Sequence, residues 1–190
     1  MPDKTPSSLS EALGIKQVNI TKLDAARRQL RTAIELWFYD GELVSIHSLA
    51  SAAHQIIHDL NRHKKGPALL FDASFIKEDS RKEFVGMMKA DSNFFKHADR
   101  GKMGRATSIE FNPLLSELFI CVSIMGLRHL GESLSNDEIA FVTWITCNRP
   151  YYLNSLGKEN VEKSIPVKAL AQIQNMPKLE FLKQLRKISL

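Results

Sequence analysis

Cysteine is almost missing from this 190-residue chain: Cys121 and Cys147 are its only two, and they form no CxxC pair. That excludes a disulfide framework and a cysteine-rich zinc module, and it predicts two reduced thiols buried in helices. A long uncharged apolar run is also missing. The longest candidate, Leu114 to Leu130, is interrupted by Ser116, Glu117, Ser123 and Arg128, which excludes a membrane span. The opening MPDKTPSSLSEALG lacks the apolar centre of a secretory signal, so a cytoplasmic, reducing location is expected. Strand-type alternation and internal repeats are absent as well. The glycine-rich segment at Gly101 lacks the Gly-Lys-Ser/Thr ending of a phosphate-binding loop, and Gln55 after His54 rules out the HExxH zinc signature.

What is present is globular. A composition of 44% hydrophobic and 25% charged residues argues against wholesale disorder. The length suits one core, so residues 1–20 are expected to form a flexible arm and residues 21–190 a single helical domain. A net charge of +5 permits an anionic partner without requiring one.

Helix signals divide the chain. Thr21-x-x-Asp24 resembles a capping box and opens a helix through about Tyr39, with Leu23, Ala26, Leu30, Ala33, Ile34 and Trp37 on one side. A second helix is predicted from about Ser45 to just before Gly66-Pro67, with Arg62, Lys64 and Lys65 at its negative end. Residues 68–79 fit a short helix or an extended segment. Ser80-x-x-Glu83 predicts the start of a third helix running to about Ala98, followed by the basic loop Asp99–Arg105. Asn112-Pro113 opens the most apolar helix, expected to be the central one. Ser135-x-x-Glu138 caps another, ending near Asn148, and two shorter helices fall around 164–174 and 177–187. The expected fold is all-α: an up-and-down four-helix bundle core with additional short C-terminal helices.

Two clusters could carry chemistry. His47, His54 and His58 form a row within an arc of about 40° on the second helix, and that row is expected at the edge of the core or facing outward. His54 and His58, one turn apart, could share a divalent metal such as zinc if His97 or Asp99 supplied a further ligand, which would make the protein a metal-dependent hydrolase. Three boundary histidines making hydrogen bonds is the plainer reading. The second cluster is Asn93-Phe-Phe-Lys96-His97-Ala-Asp99-Arg100. Asn93 and His97 are one turn apart, and Lys96 and Arg100 place cations beside them, so an amide, an imidazole and positive charge could bind a phosphodiester.

A helical bundle with Ser92-Asn93-Phe-Phe-Lys-His97 late in its third helix resembles the HEPN (higher eukaryote and prokaryote nucleotide-binding) superfamily. The resemblance implies a four-helix bundle, often a ribonuclease, commonly a homodimer, with ligand contacts from Asn93, Lys96, His97, Asp99 and Arg100. The family's motif leaves four to six residues between an arginine and the histidine, where this chain has Ala90, Asp91 and Ser92. Without that fixed, planar cation, metal-independent cleavage is not expected. The expectation is therefore a non-catalytic binding or regulatory protein for RNA or a protein partner.

Overall fold

The computed structural model describes residues 17–97, 107–153 and 155–188. The chain is all-α, with no strand among the described residues. In order the elements are α1 (Lys22–Phe38), α2 (Leu43–His63), a 3-10 turn (Leu70–Asp72), α3 (Glu78–Met88), α4 (Ala90–Lys96), α5 (Leu114–His129), α6 (Asn136–Asn148), a second 3-10 turn (Pro150–Tyr152), α7 (Ser155–Ser164), α8 (Val167–Gln174) and α9 (Lys178–Ile188). The expected arm falls outside the described residues from 1 to 16, and so does the whole of the basic loop Asp99–Arg105.

Local signals set the ends of the long helices. At Thr21 both halves of the capping box form: its Oγ1 accepts from the Asp24 amide (3.0 Å), and Asp24 accepts from the Thr21 amide (3.1 Å). Ser135 and Glu138 repeat the device at α6. Asn112 accepts from the Leu114 amide at the start of α5. The box expected at Ser80 does not form. α3 begins earlier, at Glu78, because Arg81 binds Glu78 (2.7 Å) and also donates to the Phe71 and Ile76 carbonyls, tying that first turn to the preceding segment. The predicted third helix also ends at Met88, and the chain continues as the separate short α4.

α2 is the hub, packed between α1 and α5. This corrects the expectation that the most apolar helix, α5, is central. The buried stripe of α1 (Ala26, Leu30, Ala33, Ile34, Trp37 and Phe38) faces it. On the other side α5 comes close at Gly126, where an added Cβ would strike the Ile57 methyl and lie 3.0 Å from Leu69 Cδ1. Trp37 then joins α6 through an edge-on contact with Phe141 at 4.8 Å. α9 docks on α6 with Phe181 and Leu182 buried and Arg186 gripping Asp137 by two bonds of 2.8 and 2.6 Å. No helix among the described residues is long and apolar enough to cross a membrane.

Candidate anion-binding cleft

The histidine row is buried, not at the edge: His47, His54 and His58 are 0%, 1% and 5% exposed. Treating imidazole as polar misplaced it, because aromatic rings cover this face. His47 meets Phe95, Phe111 and Phe119 edge-on at 5.7, 5.0 and 5.5 Å. Its Nε2 lies 3.0 Å from Ser92 Oγ and its Nδ1 3.3 Å from Ser116 Oγ. His54 packs against Phe71 and Phe119, with ring centroids 4.5 and 5.2 Å away, and neither of its nitrogens has a hydrogen-bond partner among the described residues. Burial pulls both rings down, His47 to about 4 and His54 to about 3, with Lys96 adding to the first and His58 and Lys89 to the second. His58 sits between two carboxylates, Asp59 (3.5 Å) and Asp72 on the 3-10 turn (3.6 Å).

Beside the row, α2, the first 3-10 turn, α4 and α5 enclose a cleft of about 380 Å³. Ser51, Gln55 and Ile56 form its α2 wall, and Phe71 and Phe119 also line it. The opposite wall is Lys89, Ser92, Asn93, Lys96 and His97. Asn93 and Lys96 are exposed and His97 is half-buried, so these three reach solvent and cleft together. Lys89 stands 4.9 Å over the Phe71 ring. No carboxylate lines the cleft among the described residues.

Of the residues singled out from sequence, the cleft thus collects Asn93, Lys96 and His97. Asp99 and Arg100 lie outside the described residues. The row histidines do not line it: Phe71 and Phe119 both line the cleft and pack against His54. Lys89 was missed, although it precedes Asn93 by one turn and that spacing places it on the same face. The Ser92 hydroxyl is engaged with His47.

As for metal, His54 and His58 have ring centroids 6.0 Å apart, and no three histidine, cysteine or carboxylate groups gather around one point among the described residues. Neither cysteine is paired, and burial with nearby Glu117 pushes the Cys121 thiol up to about 12.

A second cavity, of about 400 Å³, opens where the end of α1 meets the starts of α2 and α5. Trp37, Ile46 and Leu114 give it an apolar lining, and Ser116, Glu117, Arg149 and Lys178 contribute polar groups. Glu117 is buried and fully engaged, accepting from Trp37 Nε1 (3.2 Å), Arg149 Nε (3.3 Å) and the Tyr152 hydroxyl (3.4 Å). No family model, no curated protein and no solved structure matches this chain.

Proposed function

We propose that this is a non-catalytic RNA-binding protein that holds phosphates of single-stranded RNA in the cleft lined by Lys89, Asn93, Lys96 and His97. The observation that carries the reading is the lining itself: two lysines, an amide and an imidazole converge on one concavity whose lining holds no acidic side chain among the described residues. Lysines supply point charges for phosphate, and an amide and an imidazole supply directed donors. The net charge of +5 favours the same partner.

The HEPN resemblance supports the substrate class and argues against cleavage. Where that motif has a fixed guanidinium, this chain has Ser92 bound to His47, so nothing at that position stabilises charge developing on phosphorus. Bound RNA would be held rather than cut.

The test is a fluorescence-anisotropy titration of a short labelled oligouridylate with the full chain at low and at moderate salt. Binding that weakens steeply with salt is expected, since lysine contacts release counterions from the strand. Undetectable binding at low salt, or binding indifferent to salt, would replace RNA with a protein partner.

A further inference from the structure

Ser92 and Ser116 line different cavities, Ser92 the basic cleft and Ser116 the cavity beside Trp37, and one imidazole bridges them. The link runs Ser92 Oγ to His47 Nε2 (3.0 Å) and His47 Nδ1 to Ser116 Oγ (3.3 Å), all three side chains being buried. We infer that His47 is a tautomeric relay, setting which way the Ser92 hydroxyl points in the cleft and passing that choice to Ser116 in the second cavity. The inference rests on the cleft being an anion site.

Burial holds the His47 ring neutral near pH 7, so it carries one proton, and one nitrogen donates while the other accepts. Two arrangements satisfy both serines. In the first, the Ser92 hydroxyl donates to Nε2 and Nδ1–H donates to Ser116. In the second, Nε2–H donates to Ser92 and the Ser116 hydroxyl donates to Nδ1. Lys89 and Lys96 line the same cleft, so without an anion Ser92 turns its lone pairs toward those cations and its hydrogen toward Nε2, which is the first arrangement.

A phosphate in the cleft reverses the preference. It can only accept, so it draws the Ser92 hydrogen toward itself, and Ser92 Oγ must then accept from Nε2–H. Ser92 passes its proton to Nε2 and takes one from a water in the cleft, while Nδ1 passes its proton to Ser116, which releases its own to a water in the second cavity. The ring stays neutral, and each hydroxyl again carries one hydrogen, redirected. Ser116 now points its hydrogen at His47 and turns its lone pairs to the second cavity. A site that accepted donors less well before RNA binds accepts them better afterward, which is coupling between two sites through a two-state element.

The relay is read directly from long-range ¹H–¹⁵N correlations of the His47 ring in the labelled full chain, assigned through its contacts with Phe95, Phe111 and Phe119. The expected result is a proton on Nδ1 without oligouridylate and on Nε2 at saturation. RNA binding with the proton on the same nitrogen throughout overturns the relay but leaves the cleft reading standing; failure of RNA to bind overturns both. A second measurement uses Ser116→Ala, which removes the Nδ1 partner in both arrangements from outside the cleft. A buried Nδ1–H without an acceptor is the costlier orphan, so the ring proton of this variant should sit on Nε2, donating to Ser92, even without oligouridylate. A proton that stays on Nδ1 in Ser116→Ala would overturn the relay.

Discussion

Replacing His54 with leucine should make this protein more stable, and increasingly so as the pH falls. His54 is 1% exposed and both of its ring nitrogens lack a partner among the described residues. A buried polar group without a hydrogen bond costs about 1–3 kcal/mol, and leucine removes that cost while still filling the space against Phe71 and Phe119. A gain of about 1–2 kcal/mol is expected at pH 7. Protonation enlarges it. The folded imidazole is held down at about 3, below its ordinary 6.5, so above that pH the group has no proton-linked effect. Below it the unfolded chain takes up a proton that the folded chain refuses, and stability drains away until about pH 3. At pH 5 this amounts to about 2 kcal/mol, one pKa unit being worth about 1.4 kcal/mol, so the advantage of His54→Leu should reach about 3–4 kcal/mol. His47 titrates in both chains and cancels. Urea denaturation at pH 7 and pH 5 measures the difference. A His54→Leu chain less stable than the parent by 1 kcal/mol or more at pH 7 would refute the reasoning and show that the nitrogens have a partner, such as a metal shared with His58.

Other perturbations test the packing and the chemistry. Gly126→Ala gains about 1 kcal/mol of helix propensity but drives a methyl into Ile57 and Leu69, an overpacking worth about 1–3 kcal/mol, so a net loss is expected in urea midpoint at unchanged slope. Glu117→Gln leaves the half-buried Arg149 beside a neutral amide and should cost about 1–2 kcal/mol, read by the same melts. Incubated with unstructured RNA and a chelator, the protein should leave the strand intact, as no fixed arginine stands before His97; cleavage abolished by His97→Ala would show that Lys96 or Lys89 substitutes for it.

Helix ends with a self-contained signal were legible in the sequence. Thr21 with Asp24, and Ser135 with Glu138, close their bonds within four residues, so nothing distant could overrule them. Ser80 with Glu83 has the same spacing and fails because Arg81 reaches back to Phe71 and Ile76, contacts that the local pattern does not contain. α7 (Ser155–Ser164) was missed: its sequence has Gly157 and few apolar residues at helical spacing. The candidate site was half legible. Asn93, Lys96 and His97 share one turn and stay together, whereas the burial of His47, His54 and His58 depends on Phe71, Phe95, Phe111 and Phe119 arriving from other segments. A hydrophobic pattern read along one helix cannot count rings supplied by its neighbours. The Ser92–His47–Ser116 chain was invisible for the same reason, since its members lie 45 and 69 residues apart.

The central claim is that the cleft's lysines bind phosphate. The most direct test is the salt dependence of oligouridylate affinity for the parent chain and for Lys89→Ala with Lys96→Ala. Each phosphate contact on a single strand contributes about 0.7 to the slope of log affinity against log salt, so the double variant should lose about 1.4 of slope and bind at least tenfold more weakly at low salt. A double variant with the parent's slope and affinity would place any RNA elsewhere and contradict the account.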